Sequence, residues 1–350
     1  MQTRYAVRPT VLLLLATRLL AAQSTTPTHL PHPVSNNAVA SGRIGDEWWI
    51  FSALGVDSSK RWSGITRTAT AWSSRTKSWT ALPDVPGANG RLAATAQVVR
   101  GKLFVIGGYA VDSLAHETSM PNVDIYDPRT TTWIRGAPIP LAVDDAVSGV
   151  YRDSLIYLVS GWHDTDNVPN VQVYDVVRDR WSKATPIPGA AVFGHSGALS
   201  GNTLVFIDGA VRQPKGAKYR MQSQSWTGTI EGANPLSIIW RAAPTHPGPP
   251  IYRAAAGVCG ARVIFAGGTD NPYNYDGIGY NGVPSAPRAD VIAFDTKRRV
   301  WSVLAPLDAA TMDHRALAVV ERRGFVVGGM RAGQRVSDGV ASSSLGVCSY

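Results

Sequence analysis

The sequence predicts an all-β fold, a six-bladed β-propeller closed into one ring, and three observations lead there. The 350 residues are rich in Gly, Pro, Trp and Tyr, a mix that favours short strands and tight turns over helices. An aromatic residue is followed at one constant spacing by Trp in five places. Apolar strings ending in small residues recur about every fifty residues, the mark of a stacked repeat. Beyond the N-terminus no apolar stripe of helical period is long enough for a helix.

Residues 1–22 read as a signal peptide and stand apart from the fold. Arg4 and Arg8 make a positive start, Val11 to Leu20 an apolar stretch interrupted by Arg18, and Ala21-Ala22-Gln23-Ser24 offers small residues for cleavage. The apolar run is too short for a membrane anchor. The expectation is a periplasmic or secreted protein with no membrane span after cleavage. Losing Arg4, Arg8 and Arg18 lowers the formal charge from +9 to +6. The remaining basic residues are dispersed, without the stripe that nucleic-acid binding needs. Cys259 and Cys348 remain; export would permit one disulfide tying the C-terminus to the fifth repeat, and two free thiols are the alternative. No CxxC pair or His-Cys cluster marks a metal site, and no cofactor is expected.

Residues 23–350 then form a single domain of six repeats. The clearest strings are Ile125-Tyr126-Asp127 before Trp133, Val173-Tyr174-Asp175 before Trp181, and Ala293-Phe294-Asp295 before Trp301. Trp72 to Trp79 and Tyr219 to Trp226 keep the spacing without the Asp. Upstream lie apolar strands ending in Gly107-Gly108, Ser160-Gly161, Asp208-Gly209, Gly267-Gly268 and Gly328-Gly329, with Trp49-Ile50-Phe51-Ser52-Ala53 opening the series. In the fourth repeat Trp226 and Trp240 compete for one place, so Gly228 to Ser237 reads as an insertion.

Paired glycines, an aromatic-Asp pair and a Trp at this period resemble the Kelch repeat, over nearly the whole mature chain. Each unit would be a four-stranded blade whose faces its neighbours cover. The aromatics are expected between blades, each worth roughly 1.5–3 kcal/mol when buried. Leu30-Pro31-His32-Pro33-Val34 resembles the joint Pro138-Ile139-Pro140-Leu141-Ala142, and the last repeat lacks its own Trp strand. The N-terminal segment, Ser24 to His29, is therefore expected to complete blade six and close the ring.

A polar residue precedes the small-apolar inner strand of every repeat: Asn37, Arg91, Asp145, His195, Arg253 and Arg315. These are taken as equivalent positions. In Kelch propellers this junction and the loop after the glycine pair open on one face, around the channel mouth. Those loops carry Tyr109, His116 and Glu117, then Trp162, His163 and Asp164, then Arg212 and Lys215. Blade five adds Asp270, Asn271, Tyr273, Asn274 and Tyr275, and blade six Met330 and Arg331, while Asp144, Asp313 and His314 flank the ring. Converging guanidinium groups suit a carboxylate or phosphate, and Tyr and Trp suit the flat face of a sugar. The expected ligand is a small acidic sugar or other small anion.

In kind the chain is similar to the exported bacterial sialic-acid mutarotases (N-acetylneuraminate epimerases), which share the export signal, the six blades and an arginine-lined channel. That family uses a Glu in blade four with an Arg shortly after it. Here Gly209 is followed by Ala210, Val211 and Arg212, so the arginine has a counterpart and the acid has none. Anomerisation needs one group to accept a proton and another to donate one; His195 and Asp145 are the candidates, with Arg91, Arg253 and Arg315 holding the carboxylate. Galactose oxidase is similar in the propeller alone, since its copper ligands and flanking domains find no counterpart. The alternative function is a non-enzymatic module binding a glycan or protein at the same face.

Overall fold

A computed structural model describes residues 27–214 and 218–348. The signal-peptide assignment and Lys215 lie outside the described residues. Five four-stranded antiparallel sheets follow one another along the chain, and a three-stranded sheet ends it. Blade one runs Ala38–Ile44, Glu47–Ala53, Ala69–Ser73 and Trp79–Leu82, in that order from the axis outward. Blades two to five repeat this meander from inner strands Thr95–Val99, Val147–Tyr151, Ser196–Ser200 and Ala255–Cys259. The six-bladed propeller expected from the repeats is the observed fold.

Residues 27–30 of the expected closing segment pair with blade six, and Ser24 to Thr26 lie outside the described residues. The blade's own strands are Ala318–Val320, Arg323–Val327 and Val340–Ser344. Beside the last of these lies the N-terminal segment: Val340 N donates to Thr28 O (2.9 Å) and Leu30 N to Asp338 O (2.7 Å). A continuous ring leaves no open gap between first and last blades.

The aromatics seal the seams between blades. Tyr126 pairs with Trp133, Tyr174 with Trp181 and Phe294 with Trp301 across the outer two strands. Each Trp indole also donates to a linker carbonyl of the preceding blade: Trp133 to Pro83 (2.8 Å), Trp181 to Ala137 (2.9 Å), Trp301 to Pro244 (2.7 Å). An indole N–H so placed is satisfied as its ring is buried. Nearer the axis, Gly257 allows a backbone approach that a side chain would block, since a Cβ there would lie 2.5 Å from Leu317 O.

Blade four corrects the reading of its repeat. Its third strand is Ser225–Ile230 and its fourth Ile238–Ala242, with Gly228 opposite Trp240. Gly228 thus stands where the other blades put an aromatic, and the Trp240 ring packs against it. Tyr219 belongs to a separate hairpin, Ala210–Arg212 with Tyr219–Met221, so its spacing to Trp226 is coincidental. Only residues 231–237 of the expected insertion form the connecting loop; Gly228 to Ile230 are strand.

Cys259 and Cys348 form a disulfide, which settles the alternative left open by the sequence. Arg262 reinforces the tail, donating to Leu345 O (2.6 Å) and Val347 O (2.8 Å). Among the described residues no helix is long and apolar enough to cross a membrane.

Candidate functional site

The six polar residues read as equivalent are not at one level of the ring. The strand registers and the bridges before each inner strand instead align Asn36, Ala93, Asp145, Gly194, Arg253 and Asp313. All six have left-handed backbone, with φ between 52° and 75°. Backbone bonds link them from blade to blade: Asp145 N to Ala93 O (3.0 Å), Gly194 N to Asp145 O (3.2 Å) and Arg253 N to Gly194 O (2.8 Å). Asp145 and Arg253 lie at this level. Asn37 and His195 sit one residue later, Arg91 two earlier, and Arg315 two later in blade six. Runs of alanine on either side look alike when shifted, so the pattern could not fix the register.

Side chains from this circlet cross the channel. Asp145 of blade three meets Arg253 of blade five (2.6 Å) and Arg315 of blade six, directly opposite. Asp313 accepts from Arg253 (3.1 Å), Ser35 Oγ (2.6 Å) and Asn36 Nδ2 (3.1 Å). All four charged groups are buried. Burial alone would raise the Asp145 carboxyl, but Arg253 and Arg315 outweigh it and hold it below its ordinary value. Burial would likewise lower Arg253, yet Asp145 and its neighbours raise it. The two arginines are thus matched by two aspartates. They form a neutral plug across the axis, not free cations awaiting an anion.

The other expected site residues divide between this plug and its surroundings. Asp144 is buried, accepts from Ser119 Oγ (2.7 Å), and is raised well above the usual carboxylate range by burial and by Asp145. Arg91 is committed elsewhere, in a buried pair with Asp124 at 2.6 Å. Asn37 donates to Ser52 Oγ within blade one (2.8 Å) and to Val327 O of blade six (3.3 Å), and His314 is hydrogen-bonded to Thr311 Oγ1 (2.8 Å), its pKa lowered to about 3 by burial. His163 reaches Ala142 O (2.7 Å), and Arg212, exposed, pairs with Asp166 at 3.6 Å. Trp162 packs on Phe193 and Tyr219. Tyr273 is fully buried beneath the guanidinium of Arg253, which lies 5.2 Å from its ring. Asn274 instead caps a turn, accepting from Tyr275 N.

The proposed proton pair is not a pair here. His195 Nε2 bonds to Val159 O (3.0 Å), and burial lowers the imidazole to about 4. His195 is neutral and Asp145 is tied into the arginine network.

One feature of the mouth was not anticipated. The segment between strands Arg262–Ala266 and Val291–Asp295 folds across the opening as a lid. Lys60 of blade one donates to Asp276 O (3.0 Å) and Gln334 of blade six to Ser285 O (2.9 Å). Tyr280 stacks edge-on to Tyr219 of blade four at 4.4 Å, and Tyr275 packs on the cluster holding Tyr109 of blade two. The length of this loop was the available signal, because long loops in compact domains usually serve a site. Glu117, exposed on the strand Glu117–Ser119, lies near Tyr219, Tyr275 and Tyr280; desolvation there still raises its carboxyl, opposed by Lys218 and Arg253.

Known proteins resemble the chain in the same terms. The family model described as Kelch motif matches residues 90–140, which contain blade two. A stretch of 137 residues is 28% identical to the Kelch-like protein terF of Aspergillus terreus (strain NIH 2624 / FGSC A1156), covering 39% of this chain and 28% of that protein. The solved structure of YjhT matches with a TM-score of 0.71 over 91% of this chain and 97% of its own, at 19% identity, a likeness of fold. Six Kelch-like sheets in a closed ring, the motif match and the fold shared with YjhT identify the chain as a six-bladed β-propeller of the Kelch-repeat type.

Proposed function

We propose that the protein binds a small acidic sugar at the channel mouth, beside the lid and the blade-four hairpin. The observation that supports this reading is a tyrosine-rich lid lying over the buried network of Asp145, Arg253, Asp313 and Arg315. Exposed Lys218 of the blade-four hairpin loop is a cation placed to meet a carboxylate, beside Arg212 in its exposed pair with Asp166, and Trp162, Tyr219 and Tyr280 supply apolar faces.

Anomerisation is the finer proposal. His195 and Asp145 are poorly placed for it, and Glu117 takes over the acid-base role: its raised carboxyl suits proton exchange. The second reading, binding without turnover, draws support from the committed state of His195 and Asp145. Export belongs to the same proposal, since a disulfide suits an oxidising compartment. The test measures binding of sialic acid, glucuronate and glucose by calorimetry, then anomer exchange by NMR for each ligand found. Sialic acid or glucuronate should bind, and Glu117→Gln should slow exchange about a hundredfold while binding persists. Exchange at the buffer rate leaves the binding reading; failure of every acidic sugar to bind removes both.

A further inference from the structure

The six blades share one topology but not one charge, and the face opposite the mouth shows the difference. In a four-stranded meander the turns after the first and third strands fall at the same end, away from the lid. Blades one to three meet cations there with carboxylates at the same end. Arg75 pairs with Glu47 (2.7 Å), Lys102 and Arg129 with Asp127 (3.2 Å each), and Arg178 with Asp175 (2.8 Å). In blades five and six the ion pairs of Arg253, Arg288 and Arg315 lie at the mouth end. Their turn end carries Arg262, Lys297, Arg298, Arg299, Arg322 and Arg323 against Asp295 and Glu321. Among the described residues no carboxylate is within ion-pair distance of those six cations.

Scattered along the chain, these cations are gathered by the fold. Thr296 N (3.0 Å) and Thr296 Oγ1 (2.8 Å) both donate to Ala261 O, tying the 296–299 turn to the turn before Arg262. Arg262 donates to Leu345 O (2.6 Å) and Leu345 N to Arg322 O (2.9 Å), which joins both to the blade-six turn. Three of the six are held inward: Arg262 on the C-terminal tail, Arg299 on Thr227 Oγ1 and Ala242 O, and Arg323 on Ser342 Oγ. Lys297, Arg298 and Arg322 are exposed, with side chains that bond to nothing among the described residues. Asp295 turns its carboxylate to the backbone N–H groups of Lys297 and Arg298. Val300 (51% exposed) follows Arg299, and Val347 (67% exposed) lies on the tail that Arg262 holds.

We propose that this patch docks the propeller on an anionic phospholipid surface, leaving the lidded mouth turned to solution. A charged bilayer asks for no fixed geometry, so three unbonded cations on exposed turns suit it, each strengthening binding about fivefold. Exposed valines beside them can rest at the interface. A single-stranded nucleic acid would also need aromatic platforms for its bases. The rings nearest the patch do not supply them: Phe294 and Phe325 are buried, and Trp301 packs on Phe265 and Phe294. The docking surface is independent of ligand binding at the mouth, which lies at the other end of the blades.

Vesicle flotation of the full chain tests the proposal. Vesicles of equal parts phosphatidylcholine and phosphatidylglycerol are compared with phosphatidylcholine alone, the baseline for any apolar insertion by residues 1–22. Binding should exceed the baseline only on the anionic vesicles and fall as salt screens the exposed charges. Replacing Lys297, Arg298 and Arg322 together by Gln should weaken it about a hundredfold. The matched triple Arg100→Gln, Lys102→Gln and Arg129→Gln in blade two removes the same net charge from the same face and should change it little. Should the first triple melt below the parent, Arg322→Gln alone decides, with an expected loss of about fivefold. Equal binding to both vesicles, parent-like binding by the first triple, equal losses in the two triples, or tighter binding to single-stranded DNA than to the anionic vesicles would overturn the proposal.

Discussion

The seams between blades and the plug across the channel mouth hold the same ring together by opposite means. A seam is local, repeated and apolar: a buried aromatic, a Trp from the next strand and one indole bond to the preceding linker. The plug is made once, from blades one, three, five and six, and consists of charges out of water. Losing one seam member leaves a cavity. Losing one plug member leaves an uncompensated buried charge. Stability in a seam therefore scales with area, and in the plug with completeness.

The sharpest way to break this comparison is to remove one charge. Arg253→Ala should destabilise by about 3–5 kcal/mol because Asp145 and Asp313 lose a shared partner. Adding Asp145→Asn should recover part of the loss, whereas two seam substitutions in distant blades should simply add. Urea melts of both double-variant cycles check this, and additivity at the plug would erase the distinction. Trp301→Ala should cost a similar 3–5 kcal/mol by cavity formation, and Trp301→Phe should cost only about 1 kcal/mol more than a methyl-scale repacking, the worth of its bond to Pro244 O.

Acid should attack the mouth before the seams. His195, held near 4, and His314, held near 3, are buried neutral, against 6.5 for a free imidazole. The unfolded chain takes up protons that the folded chain refuses, so their contribution is complete above about pH 6.5 and is lost as pH falls toward those values. For His195 this amounts to roughly 3 kcal/mol. His246 runs the other way. Burial would lower it, but its bond to Asp208 (2.7 Å) raises it, and its other nitrogen faces Pro247 O. Its contribution is complete below about 6.5 and fades as pH rises through the folded value. Melting temperature against pH should thus have an acid limb that His195→Phe flattens and a neutral-to-basic limb that His246→Gln flattens; an unchanged profile in either variant would contradict its assignment.

The smaller effects sharpen the account of closure. Cys348→Ser should cost about 2–4 kcal/mol and free the tail without touching the mouth, as proteolysis of the C-terminus would report. Removing the described N-terminal residues 27–33 exposes the edge of Val340–Ser344 and should broaden the unfolding transition. A parent-like melt would mean that the ring does not need the N-terminal segment beside blade six.

Blade number and most of the seam aromatics were legible because each is a local pattern repeated at a fixed period. Such repetition survives in sequence, since every copy answers the same packing demand. The register of the ring was not legible. In Ala93-Ala94 and Ala254-Ala255-Ala256 one alanine replaces another under a one-residue shift, and the left-handed φ that marks the true position has no residue signature beyond Gly194 and Asn36. The lid was visible only as excess length. That Asp145 neutralises Arg253 and Arg315 depends on three blades meeting across an axis, at sequence separations of 108 and more. The sequence by itself determined the propeller, because blade packing is periodic. Only the tertiary structure decided that its arginines are partnered from within, because charge pairing across a ring is set by geometry and leaves no period to read.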